Sequence, residues 1–242
     1  MEIVIQRFDP AHDKKPYLKH YEVDLSEVSG VMLLDALEHL KSQDPSLAFR
    51  RSCGGGVCGS DGMNINGKNG LACVTQLADL PEKVVLRPLP SMPIIRDLIV
   101  DLTRFYKQYE SVKPWLVGQP DADDKEQLQS PAQRAELDGL YECILCACCT
   151  TSCPSYWWNP EKFAGPAALL WACRFIMDSR DVTKADRLAA LEGLYALYRC
   201  RSIMNCTNVC PKSLNPAESI AKVRRAMLSR SDEHTETEAR GE

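Results

Sequence analysis

The chain has 242 residues, 45% hydrophobic and 26% charged, with a formal net charge of −4. These proportions exclude a collagen-like or fully disordered chain and argue against a chain-wide electrostatic grip on nucleic acid. No apolar run approaches the roughly 18 residues of a membrane span, and the start Met-Glu-Ile-Val-Ile has no secretory pattern, so the expected compartment is reducing and any membrane contact peripheral.

In chain order, residues 1–88 read as a β-rich module with one helix. Residues 2–7 form a strand candidate whose alternation is imperfect because Ile3, Val4 and Ile5 are consecutive. Residues 17–25 form a second, suggesting a hairpin. Met32, Leu33, Ala36, Leu37 and Leu40 recur at helical spacing, which predicts an amphipathic helix over 30–42. Strands are expected at 63–66 and 71–75 around the turn dipeptides Asn66-Gly67 and Asn69-Gly70, and at 84–87. Pro88, Pro90 and Pro93 punctuate the chain, and a first domain is expected over 1–92.

The remainder is helical in texture. Apolar residues from Ile94 to Tyr106 predict a helix over 94–112, followed by a polar surface loop at 120–129. Ser130-Pro131 places a cap before a first-turn proline, opening a helix to about residue 142. Further helices are expected at 165–179, 184–191, 194–198 and 216–228. A second domain is therefore assigned to 93–230, and the acidic, apolar-poor residues 231–242 to a disordered tail. The basic residues Lys222, Arg224 and Arg225 suit either anionic lipid or an anchoring partner, or a plain solvated helix face.

Twelve cysteines are the outlying feature. In a reducing setting, closely spaced cysteines read as metal ligands or redox groups. The histidines, His12, His20, His39 and His234, lie far from every cysteine group, which disfavours mixed cysteine/histidine sites. Cys53 and Cys58 have the C-x4-C spacing of a plant-type [2Fe–2S] loop; Asp61 stands where a third cysteine is expected, and Cys73 is the distant ligand. Either the Asp61 carboxylate or a bound water completes that set. Gly54, Gly55, Gly56 and Gly59 let the backbone fold tightly and offer N–H groups to the sulfurs.

Cys143, Cys146, Cys149, Cys153 and Pro154 read C-x2-C-x2-C-x3-C-P, the bacterial ferredoxin run whose fourth cysteine ligates the other cluster. Cys200, Ile203, Cys206, Cys210 and Pro211 repeat it with isoleucine at the second position. Exchange of the fourth ligands gives a [4Fe–4S] site of Cys143, Cys146, Cys149 and Cys210. It leaves only Cys153, Cys200 and Cys206 for the other site, which should hold a [3Fe–4S] cluster because Ile203 cannot bind iron. The competing all-thiolate zinc reading needs four ligands in one closed tetrahedron. Cys148 and Cys173 read as small buried thiols.

Three one-electron centres in one small chain make a wire, with no dinucleotide loop or catalytic dyad of its own. An electron-transfer subunit is the leading class. A free-standing soluble carrier is a second reading, opposed by Tyr156, Trp157 and Trp158 beside the terminal site, and a structural zinc module is a third.

The motifs SCGGGVCGSDGMNINGKNGLAC, YECILCACCTTSCPSYWWNP and RCRSIMNCTNVCPKSLNP make the chain resemble the bacterial-type iron–sulfur subunits of succinate dehydrogenase, nearly end to end. The resemblance implies an α+β protein: a β-grasp [2Fe–2S] ferredoxin domain, then an all-α bacterial-ferredoxin-like domain. It implies a partner flavoprotein with FAD, two membrane anchor subunits, often with haem b, and a place at the cytoplasmic face of the bacterial inner membrane. Succinate oxidised on the flavoprotein would deliver electrons to membrane quinone. The implied quinone pocket falls on Pro154, Ser155, Trp158 and Ile203. Arg201 stands where many relatives carry histidine; it can pair with a haem propionate or hydrogen-bond near quinone but cannot shuttle protons. Asp61 and GMNINGKNGLAC favour this family over fumarate reductases running the reverse reaction.

Overall fold

The computed structural model describes residues 1–118 and 126–239; part of the polar loop expected at 120–129 therefore lies outside the described residues. The first module is a five-stranded mixed sheet, β1 (Glu2–Arg7), β2 (Tyr17–Glu22), β3 (Gly62–Ile65), β4 (Lys68–Leu71) and β5 (Lys83–Arg87), in the order β2-β1-β5-β3-β4. Strand β1 pairs antiparallel with β2 and parallel with β5, so it is an interior strand, and Ile3, Val4 and Ile5 are all buried. That explains the imperfect alternation: a strand covered on both faces has no polar side to show. Helix α1 (Leu33–Gln43) buries Leu33, Ala36, Leu37 and Leu40 in the same core as Ile3, Ile5, Val84 and Leu86.

Three expectations need correction here. The second strand of the 62–71 hairpin begins at Lys68, because Asn66 and Gly67, with φ of 49° and 88°, close a two-residue turn at once. The expected strand at 71–75 is instead a 3-10 turn, Ala72–Val74, which takes Cys73 out of the sheet toward the 53–58 loop. The expected helix at 94–112 begins as a hairpin, β6 (Ile94–Arg96) and β7 (Ile99–Val100), before α2 (Thr103–Ser111).

The hairpin turns at Asp97, with φ of 45°, and that residue is buried for a reason. Its carboxylate accepts from the backbone N–H of Phe8 and of Ala48, each at 2.8 Å, and pairs with Arg7 at 2.9 Å. Arg7 also pairs with Asp44 at 2.8 Å and meets the Tyr21 hydroxyl. Residues 94–100 are thus bonded to the first module, past the expected boundary at residue 92.

The helical region contains α3 (Pro131–Ala135), α4 (Cys148–Thr151), α5 (Pro154–Trp158), α6 (Gly165–Ile176), α7 (Lys184–Ala189), α8 (Asn205–Asn208) and α9 (Pro216–Ala239). Ser130 caps α3 as expected, accepting from the Gln133 N–H at 3.2 Å, but the helix stops well before residue 142, and the turns that follow include Gly139 at φ 76°. Helix α6 stops before 179, where the Asp178 carboxylate turns back to the Arg180 N–H at 3.1 Å. Only a 3-10 turn, Leu197–Arg199, forms within the helix expected at 194–198. Helix α9 runs to Ala239, into the segment expected to be a disordered tail; low apolar content does not stop good helix formers such as Glu233 and Glu236 from continuing a helix.

Helix α6 is the axis of this region, buried along nearly its whole length and packed on α2, α4, α7 and α9. The buried Arg187–Asp181 pair, 2.7 Å apart, binds α7 to the strap after α2, because the same guanidinium donates to the Lys113 and Trp115 carbonyls. No helix among the described residues is long and apolar enough to cross a membrane.

Candidate iron–sulfur sites

The first site is built on backbone N–H groups. In the 53–60 loop the N–H groups of Gly55, Val57 and Cys58 point at the Cys53 sulfur at 3.3–3.4 Å, and that of Gly56 at the Cys73 sulfur at 3.3 Å. Cys58 receives the N–H groups of Cys53 and Ser60 at 3.5 Å. Gly54, Gly56 and Gly59 all lie at φ of 68°, the left-handed conformation that such a curl requires. The N–H groups lower the Cys53 thiol to about 6, whereas burial, with the Asp61 carboxylate beside it, raises Cys73 to about 12. Asp61 is buried; its Oδ2 accepts from the Cys73 N–H at 2.6 Å, while its Oδ1 is buried with no hydrogen-bond partner. An unsatisfied carboxylate oxygen beside Cys73, with Cys53 and Cys58 gathered in the loop whose Gly56 N–H meets the Cys73 sulfur, supplies donors of the kind a two-iron cluster needs, so the residues present fit the group.

Among the described residues no three His, Cys, Asp or Glu groups converge as a single-ion site; the cysteines of the other two groups stand around cavity walls. One cavity is lined by Cys143, Cys146, Cys149 and the remote Cys210, with Ala167, Leu170 and Pro216 among its other walls. A second is lined by Cys153, Cys200, Cys206 and Ile203, with Pro154, Ser155 and Arg201 on the same wall. Each cavity draws one cysteine from the other run. Backbone N–H groups again face the sulfurs: Leu145 toward Cys143, Ser155 and Tyr156 toward Cys153, Ser202 toward Cys200 and Lys212 and Leu214 toward Cys210. Burial pushes the thiols of Cys143, Cys149, Cys153, Cys206 and Cys210 up.

The remaining sequence candidates fall as follows. Pro154 opens α5 directly after Cys153, and Ser155 is buried with an unpartnered Oγ. Trp157 donates its indole N–H to the Thr151 carbonyl at 2.6 Å, whereas Trp158 is 65% exposed and its indole bonds to none of the described residues. Ile203 is 44% exposed at the cavity mouth, and Arg201 is exposed beside it. Cys148 is buried outside the cavity lining, its sulfur toward the Gly70 carbonyl at 3.7 Å, and Cys173 is buried within α6.

Spacing alone did not reveal three positions. A Cβ at Gly59 would lie 2.8 Å from the Cys146 Cβ, and one at Gly62 would lie 3.0 Å from the Cys146 carbonyl, so these glycines let the first and second sites touch. Arg224, read as a lipid-facing or solvated cation, turns inward and donates to the Cys200 carbonyl at 2.6 Å. Such contacts depend on which loops meet in space, and only the run of glycines hinted at the first two.

A family model described as "2Fe-2S iron-sulfur cluster binding domain" matches residues 2–107, and one described as "4Fe-4S dicluster domain" matches residues 142–215. The chain is 61% identical over 232 residues to a succinate dehydrogenase iron-sulfur subunit of Coxiella burnetii, covering 96% of this chain and 99% of that one. It is 51% identical to the subunit of the same name from Paracoccus denitrificans, covering 93% of this chain and 87% of that one. Its fold matches a chain of the Mycobacterium smegmatis Sdh1 complex with a TM-score of 0.80 and 25% identity, covering 95% of each. The chain belongs to the family of succinate dehydrogenase iron–sulfur subunits, components of a multi-subunit enzyme.

Proposed function

We propose that this chain conducts electrons singly from reduced FAD on a partner flavoprotein to a quinone where the chain meets two membrane anchor subunits, at the cytoplasmic face of the membrane. In this reading Cys53, Cys58, Cys73 and Asp61 hold a [2Fe–2S] cluster, Cys143, Cys146, Cys149 and Cys210 a [4Fe–4S] cluster, and Cys153, Cys200 and Cys206 a [3Fe–4S] cluster. Bound there, the clusters supply one-electron acceptors and donors in series.

The observation that carries the reading is the exchange between the two runs: Cys210 lines the cavity of the first run and Cys153 that of the second. A zinc site gives no reason for such an exchange, because one closed tetrahedron leaves nothing to share.

The chain's own residues then have distinct tasks. The N–H groups of the 53–60 loop hold sulfur charge near the surface, where an electron enters. Gly59 and Gly62 bring that loop against Cys146, which shortens the next transfer. Ile203 fills the fourth corner of the last site without donating to iron and presents an apolar face outward. Trp158 offers an uncommitted indole N–H to a quinone carbonyl, with Pro154, Ser155 and Ile203 forming the adjoining wall. Arg201 supplies a permanent positive charge there, suited to a haem propionate on an anchor subunit or to a quinone oxygen.

Low-temperature EPR on the anaerobically isolated complex, before and after succinate, tests the reading. The expected result is a three-iron signal in the oxidised sample that gives way to a reduced [2Fe–2S] signal on succinate addition. Clusters that ignore succinate in a complex retaining its flavoprotein would refute the donor, and zinc in place of iron would refute the wire.

A further inference from the structure

The β3–β4 hairpin has a candidate ligand of the first site at each end. Asp61 directly precedes β3, and Cys73 lies in the 3-10 turn that follows β4. Strand β4 is an edge of the sheet, and α4 packs on it. Asn69, the second residue of β4, is buried there. Its Nδ2 donates to the Cys148 carbonyl at 3.1 Å and to the Thr151 hydroxyl at 2.9 Å. Its Oδ1 accepts from the Nδ2 of Asn64, its partner across the hairpin, at 2.8 Å.

The direction of these bonds is fixed by their ends. Thr151 is fully buried and gives its own proton to the Ala147 carbonyl at 2.8 Å, so its oxygen is left to accept from Asn69. Asn64 cannot turn over, because its Oδ1 accepts the Gly67 N–H at 3.0 Å. A reversed Asn69 amide would set oxygen against the Cys148 carbonyl and NH2 against the Asn64 NH2. The bonds run from the hairpin to Ala147, the left-handed cap of α4 that stands between Cys146 and Cys149. Gly62 allows the same approach, since a Cβ there would lie 3.0 Å from the Cys146 carbonyl.

We propose that Asn69 is a positioning residue for electron transfer: by bridging to Cys148 and Thr151, it fixes the separation of the two-iron and four-iron sites. This rests on the reading of the cysteines around it as iron ligands. Electron tunnelling falls exponentially with separation, so a directional latch between the two loops protects the rate without touching a ligand of either site. Removing the amide leaves a buried carbonyl and a buried hydroxyl without their donor, and β4 then loses its hold on α4.

The test is power saturation of the two-iron EPR signal in the intact complex, with the four-iron site first oxidised and then reduced with dithionite. A reduced four-iron neighbour relaxes the two-iron spin by a magnetic interaction that falls steeply with distance. In the parent the two-iron signal should therefore become harder to saturate once the four-iron site is reduced. In Asn69→Leu that response should shrink, with iron content, both potentials and the four-iron signal as in the parent. Thr151→Val removes one of the two acceptors and should shrink the response less. Thr151→Ser keeps the hydroxyl and should match the parent. An unmoved response in Thr151→Val overturns the proposal whether or not Asn69→Leu assembles, as does an equal loss in Thr151→Ser. Potentials that move while the magnetic response stays put would mean that Asn69 tunes energies rather than distance, and would overturn it too. A parent lacking the two-iron or the four-iron signal refutes the ligand reading itself, which separates the two failures.

Discussion

The cysteine runs at 143–154 and 200–211 have the same backbone and different neighbours. Leu145 and Ala147 in the first have φ of 55° and 63°, and Ser202 and Met204 at the equivalent places have 54° and 72°. Each run then enters a short helix, α4 or α8, capped by its second left-handed residue. The first run is pressed against the sheet module: Asn69 donates to the Cys148 carbonyl at 3.1 Å and to the Thr151 hydroxyl at 2.9 Å, and Gly59 abuts Cys146. The second run faces outward, with Ile203 and Met204 exposed. The two runs thus share their left-handed turns, and the difference between them lies in what packs outside the loop; in the proposed path that difference would separate a middle centre from a terminal one.

Breaking the exchange should have the largest effect. Cys210→Ser lies in the second run, yet it should abolish the four-iron EPR signal and leave the three-iron signal in place. Succinate-driven quinone reduction should fall by more than the roughly 10–100-fold that outer-shell changes cost. Loss of the three-iron signal alone would mean that each run serves its own site. Ile203→Cys removes the main chemical difference between the runs. It should convert the three-iron signal toward a four-iron one and slow quinone reduction, and an unchanged three-iron signal would refute the assignment of Cys153, Cys200 and Cys206.

A smaller effect separates two adjacent indoles. Trp157 is 44% exposed and its N–H is committed to the Thr151 carbonyl, so it fastens α5 to α4. Trp158 has no such bond among the described residues. Trp158→Leu should slow quinone reduction about five- to tenfold, the worth of one neutral hydrogen bond, and leave succinate-driven dye reduction intact. Trp157→Leu should instead lower the melting midpoint. Equal losses in the quinone and dye assays for Trp158→Leu would remove it from the quinone step.

The sequence was legible where chemistry follows from spacing. The cysteines assigned together by spacing and by exchange of the fourth positions line common cavities, and Ile203 lines the second cavity with the three cysteines it was expected to accompany in place of a fourth. The helix at α1 followed from the repeat of Leu33, Ala36, Leu37 and Leu40. It was not legible where distant polar groups override local pattern. Residues 94–100 carry enough apolar side chains to imitate a helix, but Asp97 is claimed by Arg7, Phe8 and Ala48, and that competition is invisible in a window of the chain. Arg224 looked like surface charge for the same reason, since its acceptor, the Cys200 carbonyl, lies on another element.

The finest test asks whether the two loops cost the same to build. A non-glycine residue in the left-handed region costs about 1–2 kcal/mol, and glycine at a helix N-cap is favoured over alanine or an apolar residue. Glycine also adds roughly 0.4–1 kcal/mol of unfolded-state entropy, so the net gain from substitution is small. Met204 is half-exposed, and Met204→Gly should raise the melting midpoint of the cluster-loaded complex by about 1–3 °C. Ala147 is buried, so Ala147→Gly also loses a packed methyl worth about 0.8 kcal/mol and should stay within about 1 °C of the parent. If Ala147→Gly stabilised as much as Met204→Gly, burial would not be what distinguishes the loops; if neither moved, the shared left-handed geometry would carry no strain, and the metal site rather than the backbone would set the loop's stability.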